Sequence, residues 1–284
     1  FLDSWLNLRS LGDMPPDRDT FSRYYEQDLQ AAMRRETQMF TRHLIERNLS
    51  IVHFLNSDIA FLNRPLARLY GLTDVADSFA PDQSHRFRQV KLTDPRRGGL
   101  LGQGSVLTVT ANGLETSPVT RGVWLLENVF GTPPAPPPDN VPPIDPDVRG
   151  ATAIRDILTR HRDNPSCFAC HQKIDPPGFA LENFDPIGRW RTRYKNGAAI
   201  DASGELPGGK QFADVAGLKK ILVERKPQFA RMLIERLLSY ACGRRIERID
   251  RPQVDRMVAD LARRGDGMRD LIELAVVSEL FRSK

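Results

Sequence analysis

Cys167, Cys170 and His171 stand in the order C-x-x-C-H within Cys167-Phe168-Ala169-Cys170-His171. Residues of these types at this spacing match the covalent attachment signature of c-type haem. The two-residue gap roughly matches the separation of the two haem vinyl groups, so each thiol would add across one of them. The imidazole that follows would then lie under the iron as proximal ligand. A cofactor tied to the chain cannot dissociate, which suits electron transfer outside the cytoplasm.

Three other readings of the same residues stay open. A zinc site needs four ligands, often as two C-x-x-C pairs. Cys242 is the one further cysteine, so zinc would have to recruit histidines or carboxylates from elsewhere. A thioredoxin-like redox pair needs its first cysteine at a helix N-terminus after a buried strand, and the upstream segment reads as a helix. The third reading is a coincidental match.

The elements that must position the motif can be read outward from it. Ile154, Ile157, Leu158 and His161 fall at helical spacing and form a helix that delivers the chain to Cys167. After His171, Asp175-Pro176-Pro177-Gly178 reads as a rigid turn, from which a proline carbonyl could accept a hydrogen bond from the second nitrogen of His171. Arg189, Arg191 and Arg193 flank Trp190; the guanidinium forks suit haem propionates and the indole could cover a haem edge. Surface arginines and a packed tryptophan are the simpler alternative. Asn196-Gly197 carries a type I′ hairpin signal.

The sixth iron position separates electron transfer from oxygen or peroxide chemistry. His161 is close in sequence but hard to bring to the opposite haem face. Met232, Met257 and Met268 lie on C-terminal helices, and Met39 and His43 on an N-terminal one; core packing competes for each. His53 and His85 carry no distinctive signal.

Elsewhere the pattern is helical, and the fold class is mainly α: a multi-module helical protein with a c-type haem-binding segment and a C-terminal helical bundle. Phe21 to Asn48 reads as one helix, Ser50 to Asp58 as a second, and Asn63 to Gly71 as a third with Pro65 in its first turn. Ala80 to Gly99 reads as a loop, and Gly102 to Ala111 as either strand or short buried helix. Ser117 caps a helix that Gly131 ends, and a proline-rich linker runs from Thr132 to Pro146. Candidate C-terminal helices are Phe212 to Glu224, Gln228 to Cys242, Pro252 to Arg264 and Met268 to Phe281. Phe229, Leu233, Leu237 and Tyr240 make one apolar stripe, and Val254, Met257, Val258 and Leu261 another. The division is thus 1–80 helical, 81–147 middle segment with linker, 148–211 haem segment with hairpin, and 212–284 bundle.

At 284 residues, with 40% hydrophobic and 27% charged residues, the chain is of ordinary globular composition. Its net charge of +5 is spread out, which favours an acidic partner and argues against nucleic acid. No apolar run approaches the ~20 residues of a membrane span. The first residue is Phe1, and no signal peptide is visible, so haem c chemistry predicts an export signal upstream and a periplasmic or cell-surface location. Two cysteines committed to haem leave no structural disulfide.

Cys167 to Arg191 (CFACHQKIDPPGFALENFDPIGRWR) resembles the large cytochrome c-linked proteins of planctomycetes and related bacteria, built from serial domains of unknown function (1592, then 1588 and 1585). RRGGLLGQGSVLTVTA and TSPVTRGVWLLENVFGTPPAPPP look like the same middle domain. RRETQMF and FLNRPLARLYG look like the preceding one, and LLSYACGRRIERIDRPQVDRMVADL like the terminal one. The resemblance implies an exported protein with further modules upstream, and it implies no known reaction. Ile174 stands where the family often has methionine, so that ligand is absent here. The functional expectation is an electron-carrying haem c protein with a redox partner protein. A haem-dependent oxidase or peroxidase is the first alternative. A surface module binding carbohydrate or protein is the second.

Overall fold

Helix ends follow their local chemistry, beginning with the caps. A computed structural model of the chain describes residues 1–136, 154–161 and 165–283, and among them the architecture is mainly helical. The Asn63 side chain accepts from the Leu66 amide and starts the Arg64–Leu69 helix, which Gly71 follows in left-handed conformation. Ser117 caps Pro118–Leu125 in the same way, and that helix continues as a wider π turn over Leu126–Phe130 up to Gly131. The bundle helices are Val215–Glu224, Lys226–Cys242, Arg251–Arg263 and Met268–Val277. Ser278 breaks the last pattern, capping a separate short helix, Glu279–Arg282.

Several sequence expectations need correction. The helix expected over Phe21 to Asn48 is two, Ser22–Glu26 and Leu29–Glu46, because Asp28 adopts φ 47 between them. The helix expected over Ser50 to Asp58 shrinks to Val52–Leu55, since Ile59–Leu62 is a strand. The stretch expected to be loop holds that strand's antiparallel partner, Arg88–Lys91, with Ile59 opposite Lys91. Gly102 to Ala111 resolves as helix, Gly104–Val109. At Asn196-Gly197 the chain reverses between Arg193 and Ala199, but only Gly197 takes positive φ, so the turn is not type I′. Of the proline-rich stretch from Thr132 to Pro146, residues 137–146 lie outside the described residues, as do the side chains of Ile157 and His161.

One apolar core joins the N-terminal, middle and C-terminal segments. Trp5 packs edge-on against Phe54 with ring centres 5.2 Å apart, and Phe54 meets Phe40 and Phe229. Two indoles lock the segments reciprocally: Trp5 Nε1 donates to the Asn128 carbonyl and Trp124 Nε1 to that of Leu6. A second cluster gathers Tyr24, Met33, Leu66, Tyr70 and Ile187. The stripes of the bundle hold, except that Tyr240 is exposed and edges onto Phe1. Lys219, fully buried, donates to the carbonyls of Pro95, Arg96, Arg97 and Gly98, anchoring a loop that carries no regular structure of its own. Among the described residues no helix is long and apolar enough to cross a membrane.

Glu36 is buried beneath Tyr70, whose hydroxyl donates to Glu36 Oε2 at 2.5 Å. Burial pushes this carboxyl from the ordinary 4.5 up to about 8. Folded Glu36 therefore keeps a proton that the unfolded chain releases above pH 4.5. Its contribution to stability is full below that value and is lost as pH rises to about 8. Denaturant midpoints measured across that window should fall with rising pH, and Glu36→Gln should flatten the slope.

Candidate functional site

The C-x-x-C-H residues sit on one helix, Pro165–Phe179. The expectation of a rigid turn at Asp175 to Gly178 is overturned, because the helix continues through Pro176 and Pro177. Prolines remove backbone donors and disfavour helix at the residue before them, so something outside the segment has to hold it. The Pro118–Leu125 helix does so by backbone contact. A Cβ at Gly178 would lie 1.8 Å from the Pro118 carbonyl oxygen, and one at Gly122 would lie 1.9 Å from that of Ile174. Two glycines thus let the helices touch backbone to backbone.

The helical path has a direct consequence for His171. Asp175 lies one turn further on, and its Oδ1 is 2.8 Å from His171 Nδ1. The Asp175 side chain is fully buried and that of His171 is 13 % exposed. The partner of the imidazole is therefore a carboxylate at i+4, not the proline carbonyl expected from a turn. Sequence reasoning missed Asp175; the i, i+4 spacing would have revealed it had the helix been extended through the prolines. With Nδ1 engaged by Asp175, Nε2 is the nitrogen suited to a metal.

Cys167 and Cys170 are both free and partly exposed, three residues apart and next to His171. Zinc would need several ligands meeting at one point; among the described residues no three His, Cys, Asp or Glu side chains do so. The element before the motif is the Ile154–His161 helix, whereas a thioredoxin-like pair follows a strand. Ile154 and Leu158 pack with Phe179, and Arg155 lies over the Phe179 ring while donating to the carbonyls of Asp201 and Ser203. This fixes the delivering helix to the later part of the site helix. Two thiols and an imidazole spread along one helical turn fit haem c, in which only the imidazole binds iron.

The remaining sequence candidates fall elsewhere. Arg189 pairs with Asp185, Arg191 donates to Thr116 and lies near Glu182, and Arg193 donates to the Gly197 carbonyl. Trp190 meets Phe184 edge-on, and the guanidinium of Arg96 covers its ring. Met232, Met257 and Met268 are buried in the core, with Met232 against Gly131. His43 stacks obliquely on Phe61, His53 Nδ1 pairs with Ser57 Oγ, and His85 is exposed.

A second missed residue is Arg121. It is fully buried, donating to the carbonyls of Leu181 at 2.6 Å and Phe184 at 2.9 Å and to Glu182 Oε1 at 3.2 Å. Burial lowers its pKa to about 10, so it stays charged at neutral pH. It clamps the chain just beyond the site helix from the helix that carries Gly122. Arg121→Met should cost about 3 kcal/mol of unfolding free energy by taking from buried Glu182 its closer charge partner, leaving it Thr116 and the more distant Arg191. Gly178→Ala should cost about 3 kcal/mol by forcing the helices apart. Chemical denaturation of each variant checks both, and an unchanged midpoint would contradict the packing described.

Residues 1–72 match a family model described as a protein of unknown function (DUF1592). Residues 97–194 match a second (DUF1588), and residues 208–281 a third (DUF1585). The middle match includes the site helix and runs through the proline-rich stretch. No curated protein and no solved structure matches the chain. With the three domains in this order over most of its length, the chain belongs to the planctomycete-type cytochrome c-linked multidomain proteins.

Proposed function

We propose that the chain is an exported c-type cytochrome segment that carries electrons to or from a protein partner. Cys167 and Cys170 would hold haem through two thioethers, and His171 would bind its iron. The observation that carries this reading is the C-x-x-C-H motif on a single helix with His171 Nδ1 oriented by Asp175. The cytochrome character of the family supports it. Bound haem would supply a one-electron redox centre in its iron. The protein's part is to fix the ring tautomer of His171, to keep Asp175 away from solvent, and to hold the thiols one helical turn apart. The net charge of +5 favours an acidic partner surface.

One observation favours the second reading, a haem-dependent oxidase or peroxidase. A buried carboxylate makes the imidazole a more basic ligand than a carbonyl would, and a more basic ligand favours oxidised iron. Asp175→Asn separates the roles. In the haem-loaded chain it should raise the midpoint potential while covalent haem stays in place. Attachment is tested by pyridine haemochrome spectra: Cys167→Ala and Cys170→Ala should each show the band of a single thioether, and the double variant no covalent haem. Covalent haem persisting in the double variant would contradict the assignment. Fast reaction of the parent chain with peroxide would favour the enzyme.

A further inference from the structure

A cavity of about 670 Å³ opens where the N-terminal and middle segments meet. Phe21, Leu29 and Pro65 line it from the residues that match the first family model, and Ile187 and Arg189 from those that match the second. Ligand sites favour such junctions, and the volume lies within their usual ~300–1,000 Å³. Phe21, Leu29 and Ile187 are buried and make an apolar floor. Around it stand three exposed arginines, Arg23, Arg68 and Arg189, and the lining holds no aspartate or glutamate.

The third of these arginines is fixed by its own loop. Asp185 Oδ1 accepts from the amides of Ile187 at 3.0 Å and Arg189 at 2.8 Å. Asp185 Oδ2 accepts from Arg189 Nε at 3.0 Å, so the guanidinium is held through one nitrogen and keeps the other two for a ligand. Arg68 reaches Asp77 at 3.7 Å with both side chains more than half exposed, a contact that a ligand can replace at little cost. Among the described residues Arg23 forms no ion pair.

A second cavity, of about 760 Å³, shares Gln27 and Pro65 with the first, so the two make one groove. There Arg34 and Arg35 are matched by Glu26 and Asp28, and the excess of positive charge stays in the first cavity. The contact chemistry is guanidinium, hydroxyl and amide over a buried apolar floor, with Thr20, Ser22 and Gln27 beside the arginines. None of the exposed large apolar residues lies in the groove, so it lacks the anchors on which protein partners depend. An extended ligand rich in hydroxyls, with a carboxylate or sulfate for the guanidinium forks, has the complementary chemistry.

We propose that this groove binds a linear acidic polysaccharide, one acidic sugar lying among Arg23, Arg68 and Arg189 and its neighbours running over Gln27 and Pro65. The groove shares no residue with the C-x-x-C-H helix, and the assignment does not rest on the haem reading.

The test is isothermal titration calorimetry of the whole chain with oligogalacturonate, sulfated dextran, neutral dextran and poly-glutamate. At least one of the two acidic sugars should bind, which of them telling carboxylate from sulfate recognition, and neutral dextran should not. Arg23→Gln/Arg68→Gln should weaken that binding about tenfold. Both positions are exposed, so the denaturation midpoint should stay that of the parent. Arg251→Gln/Arg256→Gln removes the same charge from exposed positions of a bundle helix and should bind as the parent does. Equal weakening by the two pairs would reduce the effect to net charge and overturn the site, as would no binding of either acidic sugar. Tighter binding of poly-glutamate, lost in Arg23→Gln/Arg68→Gln, would overturn the polysaccharide in favour of an acidic protein segment.

Discussion

The contact on which the site depends is between two backbones. Gly122 and Gly178 remove the side chains that would keep the Pro118–Leu125 and Pro165–Phe179 helices apart, and carbonyl oxygens occupy the space. Without that contact, Asp175-Pro176-Pro177-Gly178 has strong reasons to leave the helix. With it, the helix runs on to Phe179, Asp175 falls one turn beyond His171, and a buried carboxylate faces an imidazole. The chemistry available at His171 is therefore set by packing several residues away.

Charge is buried around this contact with its partners in place. Arg121 gathers three carbonyls, those of Leu181, Phe184 and Asp185, together with Glu182, and Thr116 donates to the other Glu182 oxygen at 2.6 Å. Lys219 gathers four carbonyls from one loop. Such groups add little net stability against an apolar alternative, but removing one partner strands the other. They act here as fixed points for segments that lack regular structure, including residues 181–185 just after the site helix. A rigid surround would suit the proposed redox centre, whose environment should change little between oxidation states.

What the sequence disclosed followed from local chemistry. Asn63, Ser117 and Gly131 mark helix ends because caps and left-handed glycines act within a few residues. The C-x-x-C-H spacing was legible for the same reason. What it hid was non-local. The strand Arg88–Lys91 exists because Ile59–Leu62 pairs with it, and its own residues read as polar loop. The helix through Pro176 and Pro177 exists because of glycine contacts with another helix, so a local reading makes a turn and a carbonyl partner for His171. Arg121 gave no motif at all; only its burial marks it.

The central claim is that Cys167 and Cys170 bind haem covalently. Intact-mass spectrometry under denaturing conditions addresses it most directly, on the chain exported with a signal peptide in a host that matures c-type cytochromes. The account predicts a single species heavier than the polypeptide by one haem, with no free thiol at Cys167 or Cys170. A polypeptide of unmodified mass, recovered folded alongside a control cytochrome that carries its haem, would contradict it.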